Sequence, residues 1–465
     1  WTAVLTPTAG LTQESNKVTV AATYTDAAGN SPAGPAEGPN YIVDSNPPAA
    51  PVVTSVSGIS GDDSLYVNAA EVTDSSGIVI GGTGEPSAVV EVKFPDDFVR
   101  VEGDNLSTVN GDGNWSLTIS TADISNFGEG TKFFTATQSD AAGNISSKSA
   151  LNSFKLDTVP PTVSMTLSDT ALKAGETSVV TFTFSEEPTG FGADDVTVAN
   201  GALSSFTVTA DAKVYTATYT PTVDVEDATN VISVGTDWTD SAENAPAGAT
   251  DSSNYAVDTL RPTVSIAMSD DALKVGDTST VTFTFSEAPT GFTADDVTVA
   301  NGAIADLAVT SDAKVYTATY APTAYVEDTT NVISVGTDWT DLAGNAPAAS
   351  ATSSNYEVDT LAPVLSTVVL SDTALKAGET ATVTFTFNEE VTNFTADDIT
   401  VANGTISDLT VTADTKIYTA IYTPTADVED ATNVISVGTD WADLAANTPA
   451  SSANSANYGV DTLRP

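Results

Sequence analysis

The chain contains three consecutive copies of nearly the same amino-acid sequence, each about 101 residues long. Each copy begins with a Pro-Thr-Val-Ser-like segment and closes with Tyr-x-Val-Asp-Thr-Leu-x-Pro, so that the copies end at Pro262, Pro363 and Pro465. A period of this length is a whole domain, because solenoid repeats are only about 20–50 residues long. The sequence therefore predicts a string of domains instead of one large core, with length or valency as the property that repetition supplies.

Composition narrows the chemistry that such a string of domains supports. The 465 residues include no cysteine and no histidine, and the formal net charge is −48. Without these residues an enzyme would depend on carboxylates alone. Paired carboxylates do support glycoside hydrolysis, but acid pairs copied into every domain are more typical of a structural role, so we expect no enzyme. The acidity makes nucleic acid and anionic membranes poor partners, and no apolar stretch is long enough for membrane insertion.

Within each copy the apolar residues alternate with threonine, as at Val180, Phe182 and Phe184. Alternation with period two is typical of a half-buried antiparallel strand. In the first copy it predicts seven strands, at 163–167, 178–185, 196–199, 204–209, 214–220, 231–238 and 255–257. The predicted fold class is all-β, a tandem array of immunoglobulin-like β-sandwich domains with about seven strands each, forming an elongated rod. The repeated Trp238, Trp339 and Trp441 continue the inward-facing pattern and are expected in the cores.

The sequence before the three copies divides into two parts. Residues 49–160 form a divergent domain with the same Leu-Asp-Thr ending, whereas residues 1–48 match only the last three strands of a copy. We expect the sequence to begin inside a domain and to be cut from a much longer protein. The expected domains are 1–48, the C-terminal part of an incomplete Ig-like domain, then 49–160, 161–261, 262–362 and 363–465.

Acidic residues recur at the positions where one domain should meet the next. If the strands alternate in direction, the loops after the second, fourth and sixth strands lie where the chain enters, together with the linker from the preceding domain. Clustered carboxylates repel one another, and Ca²⁺ is the cation that best suits six to eight oxygen ligands in loose geometry. The candidate calcium ligands, junction by junction, are Asp44, Asp140 and Asn144; Asp157, Glu186, Glu187, Asp194, Asp195, Asp240 and Asn244; Asp258, Glu287, Asp295, Asp296, Asp341 and Asn345; and Asp359, Glu389, Glu390, Asp397, Asp398, Asp443 and Asn447.

Other interpretations of these acidic residues stay open at this point. Asp and Asn in turns also cap backbone amides and keep surfaces soluble. A second acidic group at the opposite end of each domain completes the junction, binds a separate ion or is simply solvated; its members are Asp224, Glu226 and Asp227, Glu327 and Asp328, and Asp427, Glu429 and Asp430. The Gly344 position of the Asp-x-x-x-Asn loop is Glu243 and Ala446 in the other copies. If this position needs positive φ, we expect an altered loop and a weaker site in those two copies.

Four motifs of the repeat resemble those of a known family. They are Leu-Lys-Ala-Gly-Glu-Thr, Val-Thr-Phe-Thr-Phe-Ser-Glu, Phe-Thr-Ala-Asp-Asp-Val-Thr-Val-Ala-Asn-Gly and Asp-x-Ala-Gly-Asn. They resemble the bacterial Ig-like domains repeated in the extender regions of giant RTX-type, type I-secreted adhesins. The resemblance implies an extracellular stalk on the bacterial cell surface, stiffened by calcium. Such a stalk holds a terminal binding domain away from the cell for adhesion or biofilm formation.

The partners implied are calcium ions and the neighbouring Ig-like domains of the same chain, with no nucleic acid and no membrane insertion. The ligand of the distal domain and lateral association of neighbouring chains stay open. Two alternatives remain beside the stalk. One is a subunit of an extracellular filament or phage surface structure built of Ig-like domains, and the other is a repeat array that itself binds a ligand.

Overall fold

A computed structural model describes residues 1–57, 66–73, 77–94 and 105–464, and most of the ordered elements are short β-strands. Residue contacts divide the chain into two units. The first is Trp1–Thr170, Thr177–Thr220 and Thr229–Tyr255; the second is Ala171–Glu176, Pro221–Ala228 and Ala256–Pro465. No helix within the described ranges has the length and apolar character needed to cross a membrane. The predicted all-β class is confirmed.

The first unit begins with two small pairs of strands and continues with the divergent domain. Thr12–Asn16 pairs with Tyr41–Asp44, and Thr19–Val20 pairs with Ala36–Glu37. In the divergent domain one sheet has the order Asn114–Ile119, Ile78–Thr83 and Val52–Ser57. The other sheet has the order Tyr66–Val67, Asn152–Leu156, Gly130–Ser139, Val89–Lys93 and Leu106–Thr108, and the two helices are Ala69–Thr73 and Thr121–Ile124. Trp115, Phe134 and Phe154 lie in the core shared by these sheets.

The topology of the repeat is clearest in the domain 262–362, which lies within the second unit. Its four-stranded antiparallel sheet has the order Val264–Met268, Ser279–Phe285, Val315–Pro322 and Gly302–Val309. Two three-stranded sheets have the orders Ala272–Leu273, Tyr356–Asp359 and Glu327–Asn331, and Val297–Val299, Ile333–Val335 and Ala351–Thr352. One 3-10 helix spans Ala294–Asp296.

The last repeat has the same arrangement. Its elements are Leu365–Leu370, Ala374–Lys376, Ala381–Phe387, Val391–Thr392, the 3-10 helix Ala396–Asp398, Ile399–Val401, Gly404–Val411, Ile417–Pro424, Glu429–Asn433, Ile435–Val437, Ala442–Asp443, Ala453–Asn454 and Tyr458–Asp461. The repeat 161–261 contains Val163–Leu167, Ala171–Lys173, Ser178–Phe184, the 3-10 helix Ala193–Asp195, Val196–Val198, Gly201–Val208, Val214–Pro221, Glu226–Asn230, Ile232–Val234, Thr250–Asp251 and Tyr255–Asp258.

The seven strands predicted for the repeat 161–261 are present, with one much shorter than expected. The strand predicted at 231–238 is Ile232–Val234, because the chain bends at Thr236 and Asp237 before it reaches Trp238. Three additional short strands are Ala171–Lys173, Glu226–Asn230 and Thr250–Asp251. Their sequences lack an alternation of large apolar residues, so the pattern gave no signal for them.

The repeated tryptophan lies in the core of each repeat, as predicted. Trp339 is 1% exposed, and its indole ring packs edge-on against Phe285 with 4.8 Å between ring centroids. Its Nε1–H donates to the carbonyl of Gly336, so the polar end of the buried ring is satisfied. Trp238 and Trp441 make the same contacts in their own domains. The tryptophans therefore anchor the sandwich near the loop that leads to the domain junction.

Candidate metal centres at the domain junctions

A five-residue loop follows the core tryptophan and positions a buried carboxylate. In the domain 262–362 the loop runs from Asp341 to Asn345, and the two residues are 1% and 2% exposed. Asp341 Oδ1 accepts the backbone N–H of Asn345 at 2.8 Å, and Asp341 Oδ2 accepts the Asn345 side-chain amide at 2.9 Å. An Asp side chain that bonds backbone two to four residues ahead stabilises a tight loop. The loop alone therefore fixes the position of the aspartate side chain.

The same loop occurs in the other two repeats despite the substitution of its glycine. Gly344 has φ of +91°, and the equivalent Glu243 and Ala446 have φ of +67° and +66°. Asp240 and Asp443 retain both hydrogen bonds to the asparagine that closes their loops. The position does need positive φ, but the expected alteration of the loop is wrong. Hydrogen bonding holds the side-chain-bearing residues in the conformation that glycine adopts without strain.

The asparagine that closes this loop ties consecutive domains together. Asn345 Nδ2 donates to the backbone carbonyl of Asp258 in the preceding linker at 3.0 Å. Asn345 Oδ1 accepts the backbone N–H of Ala174, in a turn of the preceding domain, at 2.7 Å. Because its amide oxygen accepts one hydrogen bond and its amide nitrogen donates another, Asn345 acts as an interdomain clamp. Its role as a metal ligand stays a prediction. We call this arrangement the asparagine clamp.

The asparagine clamp is repeated at the neighbouring junctions. Asn244 joins Asp157 and Ala69, with both hydrogen bonds at 2.8 Å. Asn447 joins Asp359 and Val275, at 2.9 and 2.8 Å. At the junction between residues 1–48 and the divergent domain, Asn144 Nδ2 donates to the carbonyl of Asp44 at 3.2 Å. Sequence reasoning missed the clamp, although the Lys-x-Gly turn that supplies the N–H to Asn345 and to Asn447 recurs in the sequence.

Three carboxylates converge beside each of the last three clamps. One comes from the linker, one from the residue pair after the second long strand, and one from the loop that begins at the buried aspartate. Within each group the nearest carboxylate oxygens lie within 4.8 Å of one another. The three groups are Asp157, Glu186 and Asp240; Asp258, Glu287 and Asp341; and Asp359, Glu389 and Asp443. We call these groups the first, second and third acidic triads.

The acidic triads are partly shielded from water, and their charges disfavour one another. Burial, followed by the charges of Asp341 and Asp258, raises the pKa of Glu287. Burial also raises the pKa of Glu389, to about 6, with the charges of Asp443 and Asp359 acting in the same direction. In addition, Glu287 Oε1 is a buried oxygen without a hydrogen-bond partner. Buried carboxylate oxygens are normally paired, so this site is incompletely satisfied by protein groups.

The second acidic group of each domain contributes to the same junctions. Glu327 lies directly opposite Asp359 in the antiparallel pair of strands Glu327–Asn331 and Tyr356–Asp359. Burial and then the charges of Asp443 and Glu327 raise the pKa of Asp359. Glu226 acts on Asp258 in the same sense, after burial and the charge of Asp341. These glutamates therefore add negative charge beside the triads, while their own carboxylates are outside the three-residue groups.

The first triad differs by containing a cation. Lys155 Nζ lies 3.2 Å from Asp157 Oδ2 and 4.7 Å from the centroid of the Tyr66 ring. Burial disfavours the ammonium, but the hydrogen bond and charge of Asp157 outweigh it and raise the pKa of Lys155. Burial and the charges of Asp157 and Asp240 raise the pKa of Glu186, and the Lys155 charge opposes this rise.

Several candidate ligands lie outside the triads. Asp195, Asp296 and Asp398 cap their own 3-10 helices, each accepting the backbone N–H three residues earlier at 2.8 Å. Asp194, Asp295 and Asp397 lie on the same short helices, and Glu187 and Glu390 are exposed. Asp140 caps its own loop, as Asp341 does, and Asp44 accepts the Thr12 hydroxyl. Among the described residues, the groupings that could hold a metal do not include Asp44 or Asp140.

Comparisons with known proteins address the domains themselves. A search of curated proteins finds no significant match. Among solved structures, FdeC, an Escherichia coli adhesin, is 14% identical with a TM-score of 0.27, covering 64% of this chain and 96% of that chain. A 1.5-MDa bacterial ice-binding adhesin is 22% identical with a TM-score of 0.33, covering 68% and 99%. A tetra-tandem repeat from the extending region of a large adhesion protein is 18% identical with a TM-score of 0.31, covering 89% and 100%.

The family assignment rests on sequence models, since these TM-scores are all below 0.5. A model described as a bacterial Ig-like domain matches residues 1–43, 157–257, 258–358 and 359–460. A second model, described as a bacterial Ig domain, matches residues 68–153. Each of the last three matches to the first model starts at the linker aspartate of a triad. The chain belongs to the bacterial Ig-like domain family and consists of these domains in tandem.

Proposed function

We propose that this chain is an extender segment of a large extracellular bacterial adhesin, in which Ca²⁺ bound at the domain junctions restricts hinge motion. The segment would project a terminal binding domain from the cell surface, for adhesion or biofilm formation. Membership of a family of structural Ig-like domains supports a mechanical role over a catalytic one. Three near-identical domains in succession support length as the useful property.

The observation that carries the proposal is the repeated acidic triad. Each triad joins a carboxylate of the linker to two carboxylates of the following domain, with ligand atoms within 4.8 Å of one another. Three negative charges at this spacing oppose docking of the domains unless a cation is bound. The buried Glu287 Oε1 has no hydrogen-bond partner and is therefore an oxygen available to a cation.

The chemistry of the triads favours a hard divalent cation. Their ligand atoms are carboxylate oxygens, and histidine and cysteine are absent from the sequence, which argues against sites built for softer metals. Ca²⁺ takes six to eight oxygens, so three carboxylates would leave positions for backbone carbonyls or water. Extracellular calcium modules bind with dissociation constants of about 10⁻⁴–10⁻³ M. A segment with such sites would be ion-free in the cytoplasm and loaded outside the cell.

The ion and the asparagine clamp would have complementary roles. The clamp fixes the linker through its backbone, since Asn345 binds the carbonyl of Asp258 and the N–H of Ala174. The ion would fix the same linker through the side chain of Asp258. Both interactions hold one linker to one loop, so loss of the ion would loosen the junction without unfolding either domain.

Small-angle X-ray scattering of the full chain tests this proposal. The maximum dimension and the stiffness of the particle should increase when CaCl₂ replaces EDTA, and the change should reverse on chelation. A variant with Glu287→Gln and Glu389→Gln should lose most of the calcium response. Glu390→Gln, which alters an exposed carboxylate next to the third triad, serves as the matched control. Identical scattering with and without calcium would overturn the proposed stiffening.

A further inference from the structure

We number the junctions by their acidic triads. The first junction combines its triad with a lysine that the second and third junctions lack. Lys155 Nζ forms an ion pair with Asp157 Oδ2 at 3.2 Å, and the side chain of Asp157 is 16% exposed. The ammonium also lies over the ring of Tyr66, 4.7 Å from its centroid. Tyr66 pairs with Lys155 in the parallel strands that precede the junction. The ring and the carboxylate therefore hold the ammonium beside the linker aspartate.

The equivalent positions show that this cation is specific to one junction. Two residues before the linker aspartate, Lys155 is replaced by Ala256 and Glu357. The position paired with them, Tyr66 in the divergent domain, is Ala171 and Ala272. The lysine and the aromatic ring that covers it thus change together. In the part of the chain that the structure describes, the other two triads contain no ion pair comparable to Lys155 and Asp157.

The remaining surroundings of the triads are closely matched. A second lysine occurs at all three junctions, and its Nζ donates to a backbone carbonyl next to the triad glutamate. These lysines are Lys213, Lys314 and Lys416, with donor–acceptor distances of 2.9, 2.7 and 3.0 Å. The asparagine clamp is also common to all three. Lys155 therefore adds a positive charge beside the first triad, whereas Glu226 and Glu327 add negative charge beside the second and third.

We infer that Lys155 is a resident cation of the first triad, so that this junction docks without a divalent ion while the second and third junctions require one. This inference rests on the proposed function, since it assigns calcium dependence to two of the three triads. A tethered ammonium neutralises one carboxylate and repels an incoming divalent cation. The chain would then have one permanently docked junction followed by two whose docking follows the calcium concentration.

Calcium titration of the metal-stripped full chain by isothermal calorimetry tests the inference through paired variants. Lys155→Met keeps an unbranched side chain but removes the charge, so it should add one calcium site relative to the unmodified protein. Lys155→Arg should behave like the unmodified protein. Ala256→Lys places the cation in the second triad and should weaken calcium binding there by at least about tenfold, because a nearby unit charge in a partly buried site has a strong effect.

The outcomes separate this inference from the proposed function. Lys148→Met, at an exposed position of the same domain, is the control and should leave the titration unchanged. If the unmodified chain binds calcium but Lys155→Met adds no site and Ala256→Lys removes none, the role of Lys155 is wrong and the proposed function stands. If neither the unmodified chain nor Lys155→Met binds calcium, the proposed function itself is wrong. Because Ala256→Lys tests the reverse change, the inference stays testable even if Lys155→Met fails to fold.

Discussion

Replacing Glu389 with glutamine should have opposite effects with and without calcium. In the ion-free domain Glu389 is ionised at pH 7.5, although its pKa is raised from 4.5 to about 6, chiefly by burial and also by Asp443 and Asp359. At 1.36 kcal/mol per pKa unit this rise corresponds to at most about 2 kcal/mol, and solvent screening of the partly exposed carboxylate reduces the destabilisation of the folded domain to about 1 kcal/mol. Glutamine removes the charge and retains the oxygen that accepts the Asn388 amide at 2.9 Å. Glu389→Gln should therefore stabilise the ion-free domain by about 1 kcal/mol.

Hydrogen exchange of the strand Ala381–Phe387 measures this effect locally, since its central amides exchange through opening of the domain. In EDTA, peptides from this strand should exchange about fivefold more slowly in Glu389→Gln than in the unmodified chain. In saturating calcium the order should reverse, because the unmodified chain gains protection from the ion and the variant has lost a ligand.

The adjacent Glu390 provides the control for this prediction. Its side chain is exposed, so Glu390→Gln should change exchange by less than about twofold in either condition. Equal exchange of Glu389→Gln and the unmodified chain in EDTA would refute the argument that the triad is under electrostatic strain. Equal protection of the two proteins by calcium would refute the argument that Glu389 is a ligand.

Three further predictions concern the clamp, the loop and pH. Asn345→Ala should weaken the second junction by about 1–2 kcal/mol with or without calcium, because it leaves the partly buried Ala174 N–H without its acceptor; calorimetric melting measures this. Ala446→Gly should stabilise its domain by about 1 kcal/mol by relieving positive φ, and Gly344→Ala should destabilise its own by a similar amount, both measured by urea unfolding. In EDTA the stability contributed by protonating Glu389 should be fully present below about pH 4.5 and lost as pH rises through about 6. In calcium the stability should instead fall on acidification. Thermal melts at pH 4.5–7.5 check both signs.

The domain repetition and the core were predictable because both leave a direct mark on the sequence. A 101-residue period indicates that the repeating unit is a whole domain. The alternation at Val180, Phe182 and Phe184 predicts a strand with one buried face. Short strands such as Glu226–Asn230 could not be predicted from an apolar pattern, because they have few large apolar residues and form through pairing with partners distant in sequence.

The site was predictable in part. The linker aspartate, the glutamate after the second long strand and the loop aspartate converge as expected, because strand direction alone brings those loops to one end of the domain. Asp195 does not join them, since its carboxylate caps the Gly192 N–H in a local hydrogen bond that strand topology does not reveal. Asn345 was expected to bind the ion, and its role as a clamp depends on the Ala174 N–H, which belongs to another domain.

A crystal structure of the full chain grown in CaCl₂, with anomalous diffraction data, tests directly whether calcium joins consecutive domains at the acidic triads. We expect an anomalous peak within about 2.3–2.6 Å of carboxylate oxygens from Asp258, Glu287 and Asp341, and a second in the third triad. We also expect the Lys155 ammonium in place of an ion in the first triad. Well-ordered triads that contain only water at saturating calcium would contradict the claim that calcium joins these domains.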